Sequence, residues 1–188
     1  MASSINPTKS RDQYRLHNTA YCIRVSAHIF SWDLPEPRIL LIQRALCDTK
    51  PGYWEVPAGS AEEQDQTPRD ALEREVLEET GLRLSRITYT LRTQTWTRLK
   101  EREHYKWVGL PYIIEVSGPK TSESHVHSQH ASEPGLKWED VIQLNPEEHQ
   151  NFVLATEDEV RCDKYKTFGN HKETILEAFA TVTKNCSV

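Results

Sequence analysis

Hydrophobic and polar positions along the chain divide it into short β-rich runs and two helical stretches. Residues 20–32, AYCIRVSAHIFSW, are rich in β-formers, and after the turn-prone DLPEPR the run RILLIQRAL predicts a second strand. The segment DTKPGY reads as a loop into WEVPAGS, an extended piece that ends in small residues. Polar AEEQDQ then precedes a helix. Thr67 can cap it, Pro68 suits its first turn, Asp70 completes a T-x-x-D capping pattern and Gly81 ends it. Downstream, ITYTLRTQTWTRL and HYKWVGLPYIIEVSG are β-rich runs joined by the charged KERE, which predicts a hairpin with aromatic residues on both arms. Residues 118–135 offer little apolar surface to offset the entropy of ordering, so a mobile, exposed loop is expected there. KWEDVIQL reads as another extended piece, NFVLAT follows, and Ile175, Leu176 and Phe179 recur at helical spacing in a closing helix from His171 to Lys184.

Strands interleaved with two main helices predict an α/β fold with a mixed β-sheet covered by helices. The expected organisation is one domain over residues 19–184 behind a flexible arm at residues 1–18. A hydrophobic content of 37% against 27% charged residues fits a folded, globular chain. The net charge of -5 supplies no broad cationic surface, which argues against nucleic-acid polymers as partners. A small anionic substrate stays compatible, because a bound cation can provide the local positive charge. No stretch approaches the roughly 20 apolar residues that span a bilayer, and the N-terminus lacks the apolar run of a secretory signal. Cys22, Cys47, Cys162 and Cys186 form no C-x-x-C pair, so reduced thiols in the cytoplasm are expected.

The candidate chemistry lies on the first helix, TPRDALEREVLEETG. At about 100° per residue, with Leu72 at zero, Val76 falls at about +40°, Glu79 at about -20°, Glu75 at about -60° and Glu78 at about -120°. These carboxylates adjoin the apolar stripe, where desolvation and mutual repulsion make their convergence costly unless a cation lies between them. Hard oxygen ligands favour Mg2+ or Mn2+. Taken alone, the acidic run fits a solvated helical face equally well.

The flanking residues separate the two readings. Residues 74–82, Arg74 to Leu82, match the core of the Nudix box, R-E-U-x-E-E-x-G-U, and Trp54 to Gly59 resemble the W-x-x-P-G-G entry to it, with Ala58 in place of the first glycine. The spacing of the family would put glycine at Ser60 and glutamate at Gln66, so one residue is inserted in the loop, and Asp65, Glu63 and Glu62 are the alternatives for the supporting carboxylate. The resemblance implies an α/β/α sandwich of the Nudix type and metal-dependent hydrolysis of a diphosphate linkage in a nucleoside diphosphate linked to another moiety. It further implies that Glu75, Glu78 and Glu79 are metal ligands for Mg2+ or Mn2+, that Arg74 orients the helix against its preceding loop, and that Gly59 lets that loop pass close to the metal site. A small-molecule diphosphate is then the expected partner, with no membrane involved and a homodimer left open. A prenyl diphosphate substrate and a catalytically silent binding module are the competing readings.

Outside the box, Trp96, Tyr105 and Trp107 are candidates for stacking on the substrate, although sheet packing explains such aromatics as well. Glu101, Glu103, Glu157 and Glu159 are the candidates for activating water, each more simply read as solvated surface. Glu79 stays open for the same task. His125, His127 and His130 share a polar loop without a fourth ligand at fixed spacing and read as solvated histidines.

Overall fold

The computed structural model describes residues 21–32, 36–100, 103–117 and 138–185. The predicted arm at 1–18, the predicted loop at 118–135 with its three histidines, and Glu101 lie outside the described residues, as do the side chains of Glu103 and Tyr105.

The sheet is mixed. Its main path runs β3 (Trp54–Glu55), β2 (Arg38–Arg44), β1 (Tyr21–Ser31), β7 (Glu103–Ser117) and β5 (Arg83–Thr90), and β4 (Ala58–Ser60), β6 (Gln94–Lys100) and β8 (His149–Ala155) pair with β1, β7 and β2 respectively. β1 and β7 are parallel, and the other pairings are antiparallel. The predicted hairpin forms between β6 and β7, with Trp96 opposite Trp107.

Side chains two apart along a strand share a face, and this sorts the core into two layers. Ile23, Val25, Ala27 and Ile29 of β1 pack with Ala71, Leu72 and Val76 of α1 (Pro68–Thr80). On the opposite face, Phe30, Ile39, Leu41 and Ile113 meet Val160 of α3 (Glu157–Arg161) and Ile175, Ala178, Phe179 and Val182 of α4 (His171–Asn185). The result is the expected α/β/α sandwich. Arg24, Ser26 and His28, the intervening residues of β1, turn toward the α4 side.

Helix α1 begins and ends as its sequence requires. The Thr67 hydroxyl accepts from the Asp70 N–H at 3.2 Å, while the Asp70 carboxylate accepts from the Thr67 N–H at 2.8 Å. At the other end Gly81 adopts φ 71°, a left-handed conformation that glycine reaches without a Cβ penalty. Two expectations need correction. KWEDVIQL is not extended: its first residues form the one-turn helix α2 (Trp138–Val141), whose neighbour Gln143 is tied by its N–H to the Thr80 carbonyl. ITYTLRTQTWTRL is two strands, broken where the Leu91 N–H turns to the Pro111 carbonyl. EDEV belongs to the short helix α3, capped by Thr156.

Candidate active site

Helix α1 delivers its carboxylates against the β4 segment. Glu79 is 4% exposed and accepts the Ala58 N–H at 2.8 Å. Glu75 lies so close to Gly59 that a Cβ built there would come within 1.9 Å of its carboxylate, so no side chain fits at Gly59 while Glu75 keeps its place. Glu78, farthest from the stripe in the helical projection, remains more than half exposed and pairs with Arg74 at 3.0 Å.

Arg74 ties loop to helix. Its Nε and Nη2 donate to the two Asp65 oxygens at 3.3 and 2.9 Å, Nη2 also donates to the Ser60 carbonyl at 2.9 Å, and Nη1 lies 2.9 Å from Glu75. Asp65 is buried and accepts the Glu62 N–H as well, whereas Gln66 is exposed. Of the three carboxylates left open by the sequence, Asp65 holds the arginine. Five residues separate Gly59 from Asp65, as in the family spacing, so the inserted residue lies between Asp65 and Arg74, and the carboxylate reaches Arg74 from one position earlier in the chain.

Glu148 and His149 join the cluster, and sequence reasoning missed both. Glu79, Glu148 and His149 each bring one ligand atom within 4.8 Å of the others, the one such trio among the described residues. His149 is 2% exposed, and neither of its ring nitrogens has a hydrogen-bond partner. Its Nε2 stands 3.6 Å from Glu55 and 3.9 Å from Glu79. Buried polar atoms without partners are rare. Here they border carboxylates, and with the bare Gly59 backbone they form a donor set of oxygen and imidazole nitrogen suited to a divalent cation.

Electrostatics favour the same interpretation. Burial pushes Glu75 up, and burial followed by the neighbouring Glu55 pushes Glu79 well above the ordinary carboxylate range. Glu55, fully buried, is itself pushed up by burial. His149, His171, Arg44 and Arg24 more than offset this and hold it below its usual value.

A pocket of about 540 Å³ opens beside this cluster on the α4 side of the sheet. Ala58 belongs to both, since it lines the pocket and binds Glu79. One end carries Arg24, Arg44 and Lys50. Arg24 donates to the Ala58 carbonyl at 3.1 Å, and Arg44 pairs with Glu55 and Asp48. The rest of the lining includes His28, Gln94, Trp96, Phe168, His171 and Thr174. Of the aromatic residues predicted to touch substrate, Trp96 lines the pocket, and Trp107 stacks on Trp96 at 5.9 Å without joining the lining. Glu157 and Glu159 are occupied at α3, pairing with Arg161 and Lys164. The signal for Arg24 and His28 was present in the alternation of β1. For Glu148 and His149 no local pattern in the chain announced a role.

The model of the NUDIX domain family matches residues 23–175. No curated protein matches significantly. Among solved structures, the chain is similar to the MutT NUDIX hydrolase of Burkholderia pseudomallei (20% identity, TM-score 0.57, 83% of this chain and 96% of that one). It also resembles the NUDIX domain of Shewanella oneidensis NrtR in complex with ADP ribose (15%, 0.58, 93% and 94%) and an Ap4A hydrolase of C. elegans (14%, 0.52, 87% and 98%). No helix among the described residues is long and apolar enough to cross a membrane.

Proposed function

The chain belongs to the NUDIX domain family, and from that premise we propose that residues 19–184 form one catalytic domain that hydrolyses the diphosphate linkage of a nucleoside diphosphate joined to another moiety. The observation that carries this reading is the meeting at Ala58 of a buried carboxylate cluster and a cationic pocket end. Glu75, Glu79, Glu148 and His149 would hold the divalent cation, Mg2+ or Mn2+, with Glu78 joining by release from Arg74. When bound, that ion supplies positive charge against the diphosphate oxygens. Arg24, Arg44 and Lys50 bind the remaining phosphate charge, and the Glu55 carboxylate orients both guanidiniums.

Water adds to one phosphorus, the bridging P–O bond breaks, and two phosphate-bearing products leave. Glu148 takes the proton of the attacking water, a role supported by its exposure and its position beside Glu79. Arg74 and Asp65 hold helix and loop in register. Preference for a nucleotide over a prenyl diphosphate is supported by a lining of arginines, histidines and amides, which suits a polar moiety better than a hydrocarbon tail. ADP ribose, bound by the similar NrtR domain, and Ap4A, named with a similar hydrolase, are molecules of this chemical class. The silent-module reading drew on Gln66, Ala58 and the shifted glycine, and Asp65 at Arg74 answers the first of these. The test is release of nucleotide or phosphate from a panel of nucleotide sugars, dinucleotides and nucleoside triphosphates with Mg2+, Mn2+ or EDTA. Metal-dependent cleavage of at least one is expected, and no cleavage across the panel overturns the reading.

A further inference from the structure

One row of residues crosses the sheet floor of the pocket. Gly109 of β7 has Arg24 of β1 as its partner on one side and Gln94 of β6 on the other, and all three line the pocket. Neighbouring strands lie about 4.8 Å apart, so Arg24 and Gln94 stand about 10 Å from each other across a residue with no side chain. A moiety whose phosphate is held at Arg24 can extend over Gly109 toward Gln94.

An aromatic platform stands in the same place. Trp96 follows Gln94 by two residues on β6 and so shares its face. A Cβ at Gly109 would meet the Trp96 ring at 2.9 Å and the Gln94 Cβ at 3.4 Å, so the bare glycine lets both close on the floor. Trp107 stacks on the indole with an interplanar angle of 10° and stays out of the lining, which leaves the other face of Trp96 to the pocket. A flat indole face suits a planar base.

Gln94 is held in one orientation. Its Nε2 lies 2.6 Å from the Thr174 Oγ1, and that hydroxyl lies 2.9 Å from the Asn170 carbonyl oxygen. A carbonyl only accepts, so the single hydroxyl hydrogen of Thr174 goes to Asn170, and its oxygen accepts from Gln94. The amide nitrogen is therefore turned to α4, with Oε1 on the other side of the group. Among the described residues no donor reaches Oε1, and the atom stays open to the pocket.

We propose that Gln94 is a specificity-determining residue: a base stacked on the open face of Trp96 donates an N–H from its edge to Gln94 Oε1, and Thr174 positions the amide for that bond. This inference rests on the proposed nucleotide reading and goes beyond it by assigning the contact that reads the base. A base with only lone pairs at that edge sets acceptor against acceptor. The amide cannot turn over to offer its nitrogen without giving up Thr174. A site built to bond a donor rejects ligands that lack it more strongly than an apolar pocket rejects a change of size.

Calorimetric titration of the full chain with Mg2+ tests this, using nucleoside 5′-monophosphates, which carry no diphosphate to cut. Three pairs serve: adenosine against purine riboside, cytidine against pyrimidin-2-one riboside, and uridine against 3-methyluridine. In at least one pair the wild-type protein should favour the donor-bearing member by about tenfold or more. Gln94→Leu, close in size but without the amide, should reduce that preference to within about twofold. Thr174→Val keeps the shape of the residue but frees the amide to turn, and the preference should fall to about threefold. Trp96→Leu should weaken the preferred monophosphate by about tenfold and leave ribose 5-phosphate, which has no base, within about twofold. Equal affinity within every pair in the wild type overturns the inference whatever the variants do. A preference that survives in folded Gln94→Leu assigns the base reading to another residue, and one undiminished in Thr174→Val removes the positioning role. Metal-dependent cleavage with no base discrimination defeats only the role of Gln94. Absence of both nucleotide binding and nucleotide cleavage defeats the functional reading with it.

Discussion

At the carboxylate end of the pocket, burial drives Glu75 and Glu79 upward, toward holding protons. Beyond it, burial drives His28 to about 3 and His171 to about 4, so that neither binds one. Desolvation is the largest cause in all four cases, and it pushes both sets toward neutrality. The difference lies in what a ligand can do about it. A cation restores the carboxylates' charge, whereas a neutral imidazole offers one donor and one acceptor. One region is prepared for charge and chemistry, and the other is held neutral by burial.

The largest expected effect breaks the carboxylate side alone. Glu79→Gln removes a charge that would stabilise the transition state through the cation, so kcat should fall by about 10²-fold or more. The thermal midpoint of the metal-free protein should hold or rise, because the amide replaces a carboxyl that already favours its neutral form. Steady-state kinetics at saturating Mn2+ beside a melting curve read both quantities. Wild-type turnover in a folded variant would remove Glu79 from the assignment.

Next in size is Gly59→Ala. The added methyl would occupy the space of the Glu75 carboxylate, and Glu75 or the β4 backbone must move. A shift of about 1 Å at such a site costs about 10²-fold in rate. The expected result is weaker metal dependence, read as a raised Mg2+ concentration for half-maximal activity, with fold retained by circular dichroism. Unchanged metal dependence would show that Glu75 is not a ligand.

The helix was legible from the chain because local rules determine it: a capping box, a proline at its start and a glycine at its end; its projection set all three carboxylates beside the apolar stripe, and Glu75 and Glu79 are buried there while Glu78 is more than half exposed. The mixed sheet was legible for a similar reason, since β-rich runs alternate with turn residues. What sequence reasoning missed is non-local. Glu148 approaches Glu79 only because β8 pairs with β2, and Arg24 meets Glu55 only because β1 and β3 flank the same strand. Neither pairing has a signature within a window of a few residues. Asp65 was one of three open alternatives because loop geometry, rather than spacing, decides which carboxylate turns back to Arg74.

A smaller effect sharpens the comparison through pH. The folded value of His28 lies below its unfolded 6.5, so its contribution to stability is complete above about pH 6.5 and is lost as pH falls toward about 3. His171, lowered to about 4, acts in the same sense. Glu75 and Glu79 act in the opposite sense, since folded values above 4.5 make their burial cost stability as pH rises past that point without a cation. Urea unfolding of metal-free protein at pH 7.5 and pH 5 should therefore show a smaller acid loss in His28→Phe than in wild type, even though the variant starts lower for want of the bond to Tyr112. Parallel losses would mean that His28 is not held neutral by the fold.

The smallest effect expected is at Gln66, where the spacing of the family would put a glutamate. Arg74 is committed to both oxygens of Asp65, to the Ser60 carbonyl, and to Glu75 and Glu78, so its guanidinium has no donor left for another carboxylate. Gln66 is exposed, and an added charge there is screened by water and salt. Gln66→Glu should therefore change stability by less than about 0.5 kcal/mol and kcat/KM by less than about twofold. The measurement is a pair of denaturation curves and a rate on the best substrate of the panel. A gain of tenfold would mean that a glutamate at 66 displaces Asp65 and holds the arginine better. A comparable loss would give Gln66 a contact of its own on the carboxylate side of the pocket.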